Sequence, residues 1–190
     1  MDETSPPWLT KLNDHLYFGP RPKTPEDLAH LRGRLGISHI VNASPHAITA
    51  RKNYTQDYGE RYPFTTIDAP LAVGALTSKG APLLLAAVRA IHVQLGGNGE
   101  DACCCCYVHA ETGLMDEAYI AIILWRLRVP QEVPSNVEQW LHEQHKEALF
   151  DDDADKRALL VAVWKLLDVE ADRVRKMSMF GTVKKRVKVE

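Results

Sequence analysis

The sequence lacks the spaced cysteines of a disulfide-stabilised secreted protein. Its four cysteines are consecutive, from Cys103 to Cys106, and neighbouring residues cannot join separate parts of a chain. It has no apolar run approaching the ~20 residues that cross a bilayer. Its first residues include Asp2 and Glu3 and no basic residue, so they lack the charge pattern of a secretion or mitochondrial import signal. These absences predict a protein of a reducing compartment, such as the cytoplasm, that does not enter a membrane.

The net charge is small in total but unevenly divided along the chain. The 190 residues are 45% hydrophobic and 25% charged, which is typical of a globular domain with appendages, and the formal net charge is -2. Residues 173–190 carry +6, so the rest of the chain carries -8. An acidic body excludes a protein that binds polyanions by bulk attraction, and nucleic acid is therefore not an expected ligand.

Hydrophobic periodicity predicts an alternation of strands and helices. The predicted strands are Leu16–Phe18, Ile37–Asn42, Phe64–Ile67 and Ala102–Val108. The first predicted helix has Thr24 as its N-cap and ends at Gly36, and two more cover about Lys79–Leu95 and Met115–Arg128. A fourth begins with a capping box at Ser135–Glu138 and ends at about Leu149. The last begins at Asp152 or Asp153, and its apolar face consists of Leu159, Leu160, Val163, Leu166 and Leu167. This alternation predicts an α/β fold with a central, mostly parallel or mixed sheet of about five strands flanked by helices.

The most informative segment follows the last predicted strand. That strand leads to Val108 and His109, a short loop follows, and an apolar helix then begins. Backbone N–H groups that point inward at such a helix N-terminus form a cradle for anions. The candidate phosphate loop consists of His109, Ala110, Glu111, Thr112, Gly113, Leu114, Met115 and Asp116.

This order of strand, loop and helix resembles the signature His-Cys-x-x-Gly-x-x-Arg-Ser/Thr of the protein tyrosine phosphatases. The preceding segments resemble the dual-specificity branch of that family, at Leu16–Gly19, Leu31–Gly36, Ile37–Ser44 and Tyr62–Ile67. The similarity covers about residues 16–146 and implies a protein tyrosine phosphatase fold. We expect a dual-specificity phosphatase-like domain at 8–149, after an extension at 1–7 and before an additional helix at 150–176 and a basic tail at 177–190.

The resemblance does not extend to the catalytic residues. In the family, the cysteine after the histidine attacks phosphorus as a thiolate, and Ala110 occupies that position here. The arginine that grips the phosphate oxygens corresponds to Asp116, and the following Ser/Thr corresponds to Glu117. The family's general acid corresponds to Leu71 in our alignment, with Asp68 as the nearby carboxylate. We therefore predict that this chain has no catalytic residue and needs neither a metal nor a cofactor.

The same substitutions predict that phosphate binding is lost as well. A helix N-terminus contributes about 0.3–1 kcal/mol per favourable anion contact. A close like-charge contact costs about 4 kcal/mol at a surface-like dielectric, and each charge-assisted bond lost with the arginine forfeits about 1.5–3 kcal/mol. The repulsion between a phosphate and Glu111, Asp116 and Glu117 is therefore expected to exceed the attraction of the helix dipole. An engineered substrate trap would keep the arginine, so these carboxylates also favour natural loss of the site over an engineered Ala110.

Three hypotheses for the function remain open on the sequence alone. The first is a catalytically inactive, phosphatase-like module for interaction or assembly with protein partners, for instance a subunit of a cytoskeletal or ciliary complex. The second is an active phosphatase with altered or misassigned site residues, and the third is a phosphopeptide-binding decoy. The C-terminal tail carries a basic cluster, Lys184, Lys185, Arg186 and Lys188. This cluster leaves three interpretations open: a contact for an acidic surface, a nuclear import signal or a solvated segment.

Three patterns that suggest metal binding have plainer interpretations. Adjacent cysteines on a strand point to opposite faces, so Cys103–Cys106 predict a buried core strand rather than a metal site. His142 and His145 are one residue too close for the metalloprotease motif and predict a solvated helix face. The acidic run 151–155 alternates as a calcium loop does, but the later positions that need glycine and glutamate carry other residues. It predicts an acidic helix start.

Overall fold

The computed structural model describes residues 9–43, 64–69, 77–96, 104–110, 116–135, 139 and 158–169. Within these residues a five-stranded sheet forms the centre of the fold. Its strands are β1 (Thr10–Asn13), β2 (Leu16–Pro20), β3 (His39–Asn42), β4 (Thr65–Asp68) and β5 (Cys106–Ala110). The strand order is β1-β2-β5-β3-β4, with β1 and β2 antiparallel and the other neighbours parallel. The predicted α/β fold with a mixed, mostly parallel sheet is confirmed.

The sequence pattern does not predict β1, which forms one edge of the sheet. Its alternation is short, because Thr10 and Leu12 are buried and Lys11 between them is exposed. A tight turn joins β1 to β2, and within it the His15 N–H donates to Asn13 Oδ1 at 2.9 Å. So short an alternation is too little to predict a strand from the sequence. β1 is identified as a strand by its antiparallel pairing with β2.

The two strands β2 and β5 end later than predicted. β2 includes Gly19 and Pro20 because these residues pair with His109 and Ala110 in the parallel ladder. β1 pairs with β2 as far as Phe18, so Pro20 has a partner strand on one side and its missing N–H is tolerated. Ala110 is therefore the last residue of β5, and the predicted end of that strand two residues earlier is wrong.

The other strand boundaries shift by a few residues for one shared reason. The register pairs His39 with both Thr65 and Cys106, so a single row of the ladder begins β3, β4 and β5. All three strands were predicted to begin earlier, at Ile37, Phe64 and Ala102, and these starts are wrong. The prediction followed the apolar residues, which extend beyond the hydrogen-bonded ladder.

A capped first helix connects β2 to β3. It comprises α1 (Pro25–Ala29) and a following π-helical turn, His30–Arg34. As predicted, Thr24 is the N-cap: its hydroxyl accepts from the Asp27 N–H at 3.1 Å, and the Asp27 carboxylate accepts from the Thr24 N–H at 2.9 Å. Gly36 ends the segment with a φ of 66°, which residues with a side chain rarely adopt.

The remaining helices follow the predicted pattern with small changes at their starts. A 3-10 turn (Ser78–Gly80) precedes α2 (Ala81–Gln94), α3 is Asp116–Arg128, and residues 158–169 are helical. Asp116 is the first residue of α3, which agrees with the predicted start of this helix at about Met115. Residues 118–125 are all buried, which confirms the prediction that this helix is central. None of the helices in the described ranges combines the length and hydropathy that a membrane span requires.

Helices cover both faces of the sheet and create two core clusters. The first core cluster joins α2, α3 and the helical residues 158–169 to one face of the sheet. The second core cluster lies on the other face and contains Leu9, Tyr17, Leu31, Ile37 and Tyr107. Cys106 and Val108 enter the first cluster and Tyr107 enters the second, so β5 is buried on both faces, as its continuous apolar run predicts.

Several predicted features lie outside the described residues. They are the helix predicted after Ser135 except for Gln139, which is helical, the histidines at 142 and 145, the acidic run 151–155, and the basic tail. The predicted apolar face of the last helix lies partly within the described range, and there Leu159, Leu160 and Val163 are buried in the first core cluster.

Leu84 and Leu83 are neighbours on α2 in opposite environments, since Leu84 is fully buried and Leu83 is 61% exposed. Leu84→Ala is expected to lower the free energy of unfolding by about 2–5 kcal/mol, because it removes buried methyl groups and leaves a cavity. Leu83→Ala, the matched control, is expected to change it by less than about 0.5 kcal/mol. Urea denaturation measures both values, and similar losses in the two variants would contradict this orientation of α2.

Candidate functional site

The carboxyl ends of the parallel strands meet at one edge of the sheet. We define this carboxyl edge by the last residues of β2, β3, β4 and β5, which are Pro20, Asn42, Asp68 and Ala110. In open α/β sheets, ligands bind outside the carboxyl ends of the strands. The candidate phosphate loop begins at this edge, because it follows β5 directly.

The strand before the loop is held firmly on both sides. Tyr107 lies wholly within the protein and its hydroxyl donates to the Pro20 carbonyl at 2.6 Å. His109 is fully buried on the same face of β5, with its ring centroid 6.3 Å from that of Tyr107. On the other side, the Ala43 N–H donates to the His109 carbonyl at 2.8 Å. The sheet therefore fixes the position of the backbone that enters the loop.

Asp68, the nearby carboxylate for the general-acid role, lies at the carboxyl edge. It is half-buried, and its Oδ1 accepts a hydrogen bond from Asn42 Nδ2 at 3.2 Å. Asn42 is itself fully buried and lies opposite His109 in the register. The structure thus brings Asp68 and His109 to one edge through Asn42, which the sequence analysis did not identify. Asn42 could have been identified from the strand register, which pairs it with both Asp68 and His109. Leu71 lies outside the described residues.

The loop itself is bracketed by two described positions. Ala110 ends β5 and Asp116 begins α3, so the predicted strand and the predicted helix lie on either side of residues 111–115 in the sequence. Residues 111–115 lie outside the described residues, and the roles assigned to the loop by resemblance stay predictions. Arg21 directly follows β2, whose last residue pairs with Ala110, so one cationic residue follows the carboxyl edge in sequence. The sequence analysis did not identify it, because it lies almost ninety residues from the loop.

The cysteines precede the loop and lie mostly within the core. Cys106 begins β5 and is fully buried, and burial raises the pKa of its thiol to about 12. Cys104 packs with the first core cluster, and its Sγ donates to the Leu95 carbonyl at 3.3 Å. Cys105 packs with the second core cluster, 3.6 Å from His15 Nδ1. Adjacent cysteines thus face opposite sides of the sheet, which agrees with the core-strand interpretation. Among the described residues, no group of three or more metal-ligating side chains converges.

A serine–histidine pair lies at the opposite edge of the sheet. Ser38 Oγ is 2.8 Å from His39 Nδ1 and 3.2 Å from the Cys105 carbonyl oxygen. Burial, followed by the charge of Arg128, lowers the pKa of His39. The single hydroxyl proton of Ser38 satisfies one of these acceptors at a time. The contact with Cys105, together with the Ser38 and His39 N–H groups that donate to the same carbonyl, joins the start of β3 to the segment before β5. This arrangement serves to hold the sheet together.

Comparison with known proteins gives matches among solved structures. No protein-family model matches the sequence, and the comparison with curated proteins finds no match. The structure of PTPMT1 in complex with PI(5)P matches with a TM-score of 0.54 and 11% identity, over 86% of this chain and 99% of that chain. Tk-PTP in the active form matches with a TM-score of 0.54 and 13% identity, over 83% and 96%.

A third match is the structure of a human tyrosine phosphatase-like serine/threonine/tyrosine-interacting protein. Its TM-score is 0.50 with 13% identity, over 86% of this chain and 97% of that chain. Identities this low establish a shared architecture and leave the chemistry of each site to its own residues. The chain therefore has the protein tyrosine phosphatase-like fold that its sequence resembles.

Proposed function

We propose that this protein is a catalytically inactive member of the dual-specificity phosphatase-like fold and that it acts as an interaction or structural module. The observation that carries the proposal is the identity of Ala110. It ends the central strand at the carboxyl edge, where the phosphatases that the sequence resembles have their nucleophilic cysteine. A methyl group has no lone pair to attack phosphorus, so no phosphoenzyme can form there.

No described cysteine is suited to replace the missing nucleophile. Cys106 is four residues before Ala110 on an extended strand, which corresponds to about 13 Å. Its side chain is fully buried, and its raised pKa keeps the thiol protonated at neutral pH. Cys104 and Cys105 lie still farther from the loop along the chain. Cys103 precedes them in the sequence and lies outside the described residues.

The charges around the loop argue against a phosphate-binding function as well. The sequence carries acids at 111, 116 and 117, and the cations that follow β2 most closely are Arg21 and Lys23. Asp116 is the first residue of α3, at the position where the resemblance implies an arginine. A phosphate would therefore lack the bidentate grip of that arginine.

What remains intact is the scaffold. Within the described residues β5 is buried on both faces, Tyr107 keeps its hydrogen bond to Pro20, and residues 118–125 of α3 are buried, so the packing beside Ala110 is that of an ordinary core. One solved structure with this fold is named as a phosphatase-like interacting protein, which is consistent with such a role. The further proposals are protein partners, a contact between the basic tail and an acidic surface, and residence in the cytoplasm as part of a larger assembly such as a cytoskeletal or ciliary complex.

The purified chain is expected to hydrolyse p-nitrophenyl phosphate no faster than the buffer, because it lacks a nucleophile. Release of p-nitrophenol with and without vanadate measures this. Ala110→Ser, which adds a hydroxyl of high pKa, is the matched control and is expected to be equally inactive. Turnover that vanadate abolishes would contradict the proposal and favour an active phosphatase.

A tyrosine-phosphorylated peptide is expected to give no heat of binding in isothermal titration with the wild-type chain. Asp116→Arg restores the cation that the family's signature has at this position, and is expected to produce measurable binding through charge-assisted hydrogen bonds. Micromolar binding by the wild type would overturn the prediction and favour a phosphopeptide-binding decoy.

Cys106 is expected to resist iodoacetamide in the folded protein. With a pKa of about 12, only about one thiol in ten thousand is ionised at pH 8, and burial excludes the reagent. Peptide mass spectrometry after labelling compares Cys106 with the half-buried Cys105 in the same sample, and unfolding in guanidinium should make both reactive. Equal labelling of the two in the folded protein would contradict the core position of Cys106.

A further inference from the structure

A cysteine and a histidine meet at the edge of the sheet opposite the candidate phosphate loop. Cys105 directly precedes β5 and His15 directly precedes β2, and these two strands are parallel neighbours. Cys105 Sγ lies 3.6 Å from His15 Nδ1 and 3.6 Å from the Asp14 carbonyl oxygen. A thiol beside an imidazole has a base to which it can pass its proton, and the resulting thiolate is the nucleophilic form of cysteine.

The backbone of the sheet holds both residues of this cysteine–histidine pair. The His15 carbonyl accepts a hydrogen bond from the Cys106 N–H at 2.9 Å. The Cys105 carbonyl accepts from the N–H groups of Ser38 and His39 at 3.0 and 3.2 Å. Both side chains therefore project from backbone that is fixed by neighbouring strands, and a site built on such backbone keeps its reacting groups close together.

Access to solvent distinguishes Cys105 from the cysteine that follows it. Cys106 is fully buried, whereas Cys105 is half-buried and its neighbour His15 is exposed. Cys104 is half-buried as well, but its Sγ lies 3.8 Å from Arg128 Nη2, and a guanidinium cannot take up a proton. Among the described cysteines, Cys105 is therefore the one that combines access with an imidazole base.

The other charged and titratable groups around this thiol are not placed to take its proton. Lys11 and Asp14 form an exposed ion pair at 2.8 Å, so their charges oppose each other at the thiol. Burial raises the pKa of Tyr17 on β2 and lowers the pKa of His39 on β3, so both groups are mostly uncharged at pH 7. Arg128 on α3 is a permanent cation. The imidazole of the pair is therefore the group that can accept the proton.

We propose that Cys105 is a modification site, a thiol that peroxides oxidise and that a small thiol such as glutathione then caps, with His15 as its base. The thiolate sulfur attacks one peroxide oxygen, and an S–O bond forms as the O–O bond breaks, so sulfur is oxidised to a sulfenic acid and the peroxide is reduced. The hydroxide that leaves takes the proton from the His15 imidazolium and becomes water. The small thiol then attacks the sulfenic sulfur, which gives a mixed disulfide and releases a second water.

Hydrogen peroxide followed by dimedone, which forms a stable adduct with sulfenic acids, tests the proposal on the full-length reduced protein. Fragmentation mass spectrometry is expected to locate the first adduct on Cys105. His15→Gln keeps a polar side chain that cannot take up a proton, and is expected to slow adduct formation at pH 7 by about fivefold or more. At about pH 9 the difference should largely disappear, because a thiol then ionises without a base. Asp14→Asn, the matched control, keeps the carbonyl beside the thiol and loses only an exposed carboxylate, so its rate should stay within about twofold.

The contrary outcomes are equally specific. A first adduct on any other cysteine, or equal rates for the wild type and His15→Gln at pH 7, overturns the proposal. Cys105→Ser should abolish the mixed disulfide with glutathione, and a disulfide that persists in this variant overturns it too. Circular dichroism checks the fold of each variant, and the order of labelling in the wild type decides the matter if a variant fails to fold. The pair lies at the opposite edge of the sheet from the candidate phosphate loop, so vanadate-sensitive turnover would refute catalytic inactivity alone, and an unreactive Cys105 would refute this inference alone.

Discussion

The burial of β5 between two parallel neighbours is the constraint on which the rest of the structure depends. β2 and β3 hydrogen-bond to it on either side, and both faces of the strand are covered by core clusters. A strand in this position admits apolar or hydrogen-bonded side chains and few others. The run from Cys106 to Val108 therefore serves packing, and the burial that stabilises the strand also raises the pKa of its one thiol, that of Cys106.

This constraint also determines where chemistry could occur. The strand ends at the carboxyl edge with Ala110, and the hydrogen bonds of Tyr107 and His109 hold its backbone in place there. Catalysis at such an edge depends on a few side chains in a loop, whereas the edge itself depends on the whole sheet. A chain can therefore lose the nucleophile and the arginine while its fold persists.

Particular residues illustrate how far sequence reasoning extends. Thr24, Gly36 and the apolar positions of α2 were predictable, because capping, positive φ and helical periodicity are local properties. β1 and the extension of β2 through Pro20 were not predictable, because each exists through pairing with a strand that the local pattern does not reveal. The contact between Asn42 and Asp68 likewise joins two strands across a long connection. Arg21 was missed at the site because the register with β5, rather than the local motif, relates it to the loop.

The sequence by itself determined the class of fold and the presence of Ala110 directly after His109, because the identity of a residue does not depend on its surroundings. The tertiary structure decided which surfaces are available. Periodicity identifies the apolar positions of α2, and only packing against α3 shows that Leu84 is inside while Leu83 and Val93 remain exposed. Burial is a relation between distant segments of the chain, and no local pattern contains it.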